Sequence, residues 1–445
     1  MTDSTPESEK SEFVPDELID WLTTNWDPDL SVAQWWQRLG VSGWASAGLP
    51  TNAYGKGFSR TDAVAVQQTI AEFGALSAPG GLGLLLAAPT IATHGSQEQI
   101  DRYVREIVTG AKGWCQLFSE PGAGSDLAGL TCKAERDGDE WIINGQKVWT
   151  TFGHQADLGM LIARTHPELP KHQGITWFAL EMHQPGVEVR PLVEMTGHAL
   201  FNEVFLTDAR VAHAAVIGDA GNGWAVANTT LANERAGLGT GGGSAGTSAA
   251  TPGTVVGDLD RRAGDFVTPR RSKKSSGASS AGAAGGFGGA SRLLIDLAKG
   301  NGSASDPSIR QDLVRLHILG ELGRFNGLRV KAAKAAGRDV PGMGNISKLS
   351  MSDTMRLLRD LGLRILGPSG MLHAYRDEDK SLVNDATGNP FVGVVTSMAL
   401  WAQGPPIYGG TDQIQRNILG ERVLGLPKEP NNDKTTPFSE LPRNA

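Results

Sequence analysis

Residues 114–153 read WCQLFSEPGAGSDLAGLTCKAERDGDEWIINGQKVWTTFG, and the rest of the chain is organised around them. The stretch opens with an apolar run, Trp114 to Phe118, and passes into a glycine-spaced loop, Glu120-Pro121-Gly122-Ala123-Gly124-Ser125-Asp126. Glycines at this spacing let the backbone approach a ligand and turn its amides outward. The same spacing also serves plain turn chemistry, so the loop alone leaves both readings open. Asp137-Gly138 and Asn144-Gly145 are each flanked by strand-like residues and predict two tight hairpin turns. The expected product is a small antiparallel sheet whose last strand, Val148 to Thr151, points Trp149 and Thr151 to one face. An aromatic wall beside a hydroxyl suits a planar, hydrogen-bonding ligand.

Working outward, 445 residues exceed one compact core and imply two or three packed subdomains. With 40% hydrophobic and 20% charged residues and a net charge of -7, the chain has an ordinary soluble composition. That balance argues against nucleic acid as the main partner, since phosphate binding needs a basic face. Cys115 and Cys132 form no disulfide framework, the polar N-terminus has no apolar targeting core, and no apolar run is long enough to span a membrane. A reducing cytoplasm is the expected location. No metal ligand set is expected.

Before the central stretch, residues 13–113 carry helical spacing (Leu18, Ile19 and Leu22; Ala63, Val64, Val66, Ile70 and Phe73) cut by prolines and glycines, which predicts an α-helical N-terminal domain. Trp35 and Trp36 read as core, and Ser96 with Gln99 as a capping box opening the last helix. Residues 114–219 carry short strand runs, Leu158–Arg164, Ile175–Leu180 and Glu203–Leu206, for a middle β-barrel-like domain. From Gly223, Ala227, Leu231 and Leu238 share a helix face with Glu234. A carboxylate on such a stripe is desolvated and raised towards the range useful for a base. Pairing with Arg235 or another cation explains it equally well.

Residues 220–430 make up a C-terminal helical bundle of four helices: the one bearing Glu234, one from Asp312, one from Met351 to Leu366 and one from Thr411. A Gly/Ser/Ala-rich insertion, 239–306, is expected to be mobile over most of its length, with one or two helical turns near Ser291 and the basic clump Arg270 to Lys274 most open to protease. A second insertion, 380–406, shows no recognisable chemistry, and 431–445 is a tail. The whole is an α+β multidomain chain.

Three ordered motifs, EPGAGSD at 120–126, INGQKVWTT at 143–151 and IYGGTDQIQRNI at 407–418, resemble the acyl-CoA dehydrogenase family, and the actinobacterial enzymes within it. The resemblance runs from Ile19 to about Pro430, insertions apart. It implies FAD-dependent α,β-dehydrogenation of an acyl-CoA to the trans-2-enoyl-CoA, as in β-oxidation of fatty or related acyl groups. It also implies re-oxidation by an acceptor such as electron-transfer flavoprotein, and a homo- or hetero-oligomer built as a dimer of dimers. By matching position, flavin contacts fall to Gln116, Phe118, Ser119, Gly124, Ser125, Trp149, Thr151, Lys299, Arg364, Thr411 and Gln413, and substrate contacts to Ser125, Arg235, Tyr408 and Gly409. Most relatives place the base in a Tyr-Glu-Gly-Thr turn, where this chain has Tyr408-Gly409-Gly410-Thr411. The branch resembling isovaleryl- and long-chain acyl-CoA dehydrogenases places it on an earlier helix before an arginine, which here is Glu234.

Other departures bear on the partner's flavin. Lys299 stands where relatives carry an arginine, Arg364 where a glutamine is usual, and Pro368 where a glycine is usual. A lysine's point charge does not reproduce a forked guanidinium contact. A non-catalytic or half-site subunit of a mixed assembly is therefore an alternative, and a nucleic-acid-binding protein of the same fold, resting on the Arg270 clump, is another.

Overall fold

The computed structural model describes residues 13–238, 258–267, 286–431 and 433–442. The N-terminal helices are α1 (Pro15–Asn25), α2 (Val32–Val41), α3 (Arg60–Phe73), α4 (Ala88–His94), α5 (Gln97–Gln99) and α6 (Arg105–Val108), the last two joined by a π turn. Capping boxes start α2 at Ser31–Gln34 and α5 at Ser96–Gln99, so side chains satisfy the orphan amides of each first turn. Trp35 and Trp36 are fully buried, and their indole nitrogens donate to the carbonyls of Leu76 and Ser77 at 2.7 and 2.8 Å. Each ring thus fills core volume without stranding its polar atom.

The middle domain is one eight-stranded sheet ordered β6-β7-β3-β2-β4-β5-β8, with β1 parallel to β4. Its strands are β1 (Trp114–Leu117), β2 (Lys133–Asp137), β3 (Glu140–Lys147), β4 (Leu158–Arg164), β5 (Ile175–Glu181), β6 (Val187–Leu192), β7 (Phe201–Ala212) and β8 (Val216–Ile217). Asp137-Gly138 makes the β2–β3 hairpin, with Gly138 at φ 59°. Asn144-Gly145 does not make a second one. It lies inside β3 opposite a bulge in β7, where Asp208 takes a left-handed φ of 52°, and a Cβ on Gly145 would fall 2.7 Å from the Cα of Cys132. The glycine serves close backbone approach instead of a turn. The strand expected at Val148 to Thr151 is also absent: β3 ends at Lys147 and Trp149 takes a left-handed φ of 61°. Strict alternation of Trp149 and Thr151 is thereby lost.

In the C-terminal part, α7 (Gly223–Leu238) packs on β5 and α4. The bundle core is drawn from α8 (Gly286–Gly300), α9 (Pro307–Ala335), α10 (Met343–Leu366) and, past the short α11 (Asp379–Thr387), α12 (Val392–Trp401). Leu294 and Ala298, Ile309 and Leu316, Leu358, Leu361 and Ile365, Val392 and Val395 meet there. α13 (Asp412–Ile418), capped by Thr411, packs beside α10.

Both insertions are therefore corrected in part. Residues 286–300, expected to hold two turns at most, form a 15-residue helix because Leu293, Leu294, Leu297 and Ala298 fall on one stripe that α9 and α10 bury. Within the same insertion, 258–267 is stitched to the N-terminal domain: Val32 donates to Arg261 and Ala263 to Leu30, and Ala263 is fully buried. The clump Arg270 to Lys274 lies outside the described residues. In the second insertion, α12 is a core helix of the bundle. Among the described residues no helix is long and apolar enough to cross a membrane.

Candidate functional site

The glycine loop is anchored from beneath by a buried ion pair. Lys147 closes β3 on the inner face that Trp141 and Ile143 also occupy, and its ammonium donates to a Glu120 carboxylate oxygen at 2.9 Å and to the Phe118 carbonyl at 3.0 Å. Glu120 also accepts from the Thr131 amide and hydroxyl and from the Cys132 amide, at 2.7, 2.9 and 2.9 Å. Burial pushes the Glu120 carboxyl up, but Lys147 and these amides outweigh it and hold the group below the ordinary carboxylate range. Sequence reading passed over this pair, although a lysine in phase with the buried residues of β3 was a legible sign of a buried partner.

Above that anchor, Gly124, Ser125 and Asp126 are exposed, and a Cβ on Gly124 would meet nothing within 4 Å. Of the expected flavin residues that precede the loop, Phe118 is buried and Ser119 half-buried, its carbonyl accepting from Val148. Beyond β3, Thr150 and Asn202 exchange backbone hydrogen bonds at 3.0 Å, and Phe152 donates to Leu200. This pairing holds Trp149, 60% exposed, edge-on against Phe201, with Thr151 half-buried beside it.

α7 is fastened to α4 by Thr90–Thr230 and His94–Thr229 hydrogen bonds at 3.0 and 2.8 Å. One turn further on, Glu234 meets Gln116 from β1, whose amide donates to it at 3.4 Å. The structure thus joins the expected base to an expected flavin residue. Desolvation raises the Glu234 carboxyl above its ordinary range, against the Gln116 hydrogen bond and the neighbouring Arg235. Arg235 itself is exposed, and its charge draws the Glu234 carboxyl down less than burial raises it.

An aromatic row reaches the closing motif. Phe201 lies parallel to Trp401 of α12 at 6.2 Å, and Trp401 approaches Tyr408 at 6.3 Å. Gly409 and Gly410 are both left-handed, at φ 64° and 82°, and their carbonyls accept from Gln415. Asp412 is buried and bound by Ser352, Arg356 and Lys348 at 2.7, 2.6 and 3.1 Å, which fixes the motif to α10. Phe201, Trp401 and Asp412 carried no chemical signal in sequence; only packing identifies them. Gln413 is exposed, Thr411 spends its hydroxyl on the helix cap, Lys299 is exposed in the last turn of α8, and Arg364 is held by Asp312 and Ser308 of α9 at 2.5 and 2.7 Å.

Residues 8–111, 115–209 and 276–424 match the N-terminal, middle and C-terminal domains of acyl-CoA dehydrogenase. The chain is 33% identical over 401 residues to "Acyl-CoA dehydrogenase IpdE1" of Mycobacterium tuberculosis, covering 89% of this chain and 88% of that protein. It is 34% identical over 380 residues to "Acyl-CoA dehydrogenase FadE34" of the same organism, covering 84% of this chain and 44% of that one. In fold it is similar to the M. tuberculosis ChsE4-ChsE5 complex, with a TM-score of 0.65, 24% identity and 93% and 97% of the two chains covered.

Proposed function

Because this chain belongs to the acyl-CoA dehydrogenase family of oxidoreductases, we propose that it desaturates an acyl-CoA between its α and β carbons in the cytoplasm, with Glu234 as the base and FAD as the cofactor. The observation that carries this reading is the desolvated Glu234 carboxylate beside Gln116, on a helix fixed by two hydroxyl contacts. The open backbone at Gly124, the exposed face of Trp149 and the Thr151 hydroxyl suit an extended cofactor with a planar ring. FAD, when bound, supplies the two-electron acceptor. Ser125 and Thr151 would hold it, and Trp149 would cover its ring. Glu234 takes the α proton, which the thioester carbonyl acidifies, and backbone amides beside the site would polarise that carbonyl. An acceptor such as electron-transfer flavoprotein then collects the electrons.

Gly409 leaves room where most relatives carry a glutamate, which favours a branched or ring-bearing acyl group. The "Tcur3481-Tcur3483 steroid ACAD" shares this fold, with a TM-score of 0.66. Mixing the purified, FAD-loaded protein with a panel of acyl-CoAs should bleach the flavin absorbance fastest with bulky chains. Bleaching by straight chains alone would sink the preference, and bleaching by none would sink the reaction.

The protein also acts in an oligomer. Val314, Ile318, Leu322, Phe325 and Leu328 form an exposed apolar stripe at helical spacing along α9, the kind of face that a partner subunit covers. Lys299 is a weak substitute for a guanidinium, and Arg364 is engaged by α9. A second, related chain is therefore expected to complete flavin loading. Protein expressed alone should be under-loaded; one tightly held FAD per chain would refute the mixed assembly.

A further inference from the structure

The residues after the closing helix, set aside in sequence as a tail, return to the middle domain. Pro437 pairs with Pro170, Phe438 donates its amide to Leu169 and Ser439 to Pro167, both at 2.9 Å, so the tail lies against the loop between β4 and β5. Two charged side chains carry that contact inward. Arg164, 3% exposed, sits over the Phe438 ring at 3.8 Å and donates to the carbonyls of Lys171 and Ala128, both at 2.6 Å. Lys171, itself buried, bridges Asp433 at 2.6 Å and both carboxylate oxygens of Asp126 at 3.0 and 3.1 Å. Asp126 ends the glycine loop, and Ala128 lies in the 3-10 turn that follows it.

Both routes therefore converge on the few residues that set how the loop leaves its ligand face. Without the tail, Lys171 would keep one exposed acidic partner and Arg164 would lose its aromatic cover, while their hydrogen bonds to the loop would face water. Charge-assisted hydrogen bonds of buried cations are worth more than those in solvent, because the protein interior screens them less.

We propose that residues 433–441 form a strap that holds the glycine loop in its ligand-binding shape, with Asp433, Lys171, Arg164 and Phe438 as positioning residues. The proposal rests on the reading that this loop binds the cofactor and thioester. It makes the C-terminus part of the site without any tail residue touching substrate. Lys171 acts on Asp126, and Arg164 on Ala128.

The test uses the full-length chain, co-expressed with its partner chain if loading requires one, in four forms: wild type, Asp433→Asn, Asp433→Glu and Phe438→Ala. Asp433→Asn keeps the shape and removes the charge; Asp433→Glu restores the charge. Expected for Asp433→Asn is a rise of about tenfold in the FAD dissociation constant or acyl-CoA KM, the scale of one charge-assisted hydrogen bond, with kcat at saturation unchanged. Amide hydrogen exchange in the 120–130 peptides should quicken while the core strand β4 stays protected. Asp433→Glu should recover most of the affinity, and Phe438→Ala should resemble Asp433→Asn. Unchanged loop exchange in both Asp433→Asn and Phe438→Ala overturns the strap. Gly124→Val, which fills the open approach to the loop with the tail intact, separates the two ideas. Normal FAD and acyl-CoA binding in the Asp433 and Phe438 variants beside a defect in Gly124→Val overturns the strap alone. Normal binding in all of them overturns the reading of the loop on which it rests.

Discussion

Glu234→Gln is expected to retain FAD and acyl-CoA while its rate of flavin reduction falls by about 10²–10⁴, the usual loss when a positioned base is removed. The glutamine keeps the volume and an acceptor for the Gln116 amide, which now lies 3.4 Å from the carboxylate, so binding and fold have little reason to change. Only the basic oxygen goes. Stopped-flow bleaching under single turnover isolates this step from product release and re-oxidation. The wild-type enzyme adds a pH signature: burial raises the Glu234 carboxyl, and only its ionised form accepts a proton, so the rate should climb with pH through a value above the ordinary carboxylate range. That acid limb should vanish in Glu234→Gln. The companion variant, Gly409→Glu in the Glu234→Gln background, should restore slow turnover of straight chains and reject bulky ones. Its recovery is limited, since a glutamate held at the φ of 64° seen for Gly409 costs about 1–2 kcal/mol. Wild-type bleaching by Glu234→Gln would place the base elsewhere in the chain or in a partner.

Lys147→Met should be the most damaging change to stability near the site, costing about 3–5 kcal/mol, because it leaves the Glu120 carboxylate buried without its cation. Methionine fills the space of the stem, so lost packing contributes little. Glu120 keeps its three donors from Thr131 and Cys132, which is why folding should weaken and not fail outright. Equilibrium urea denaturation of both proteins measures the difference; a cost under about 1 kcal/mol would show the pair to be inessential. Acid should reproduce the effect in the wild type. Glu120 and Asp412 are each pushed up by burial but drawn further down by their donors, so their folded-state values lie below their unfolded ones. The stability they contribute is complete above the unfolded carboxylate value of about 4 and is lost as pH falls through the lowered folded values. Thermal melts taken at descending pH should steepen in that window, and less so in Lys147→Met.

By itself the sequence determined whatever neighbouring residues decide among themselves. The capping box at Ser96, the helix start at Thr411, the Asp137-Gly138 hairpin, the strands at Leu158 and Ile175 and the helix carrying Glu234 all follow from short-range propensity, and all are present. Tertiary structure decided the features whose partners lie far along the chain. Asn144-Gly145 has the local chemistry of a turn, but pairing with β7 on one side and contact with Cys132 on the other keep it inside β3. Residues 286–300 begin too rich in glycine to read as a helix, and become one because α9 and α10 bury its leucine stripe. Trp401, more than two hundred residues from Trp149, joins the site through Phe201 on one side and Tyr408 on the other. Phe438 acquires a role only where Arg164 waits for a ring. A local pattern states what a segment prefers. The free energy that overrides the preference comes from area buried and charges paired across the fold, and no window of sequence contains both halves of such a contact.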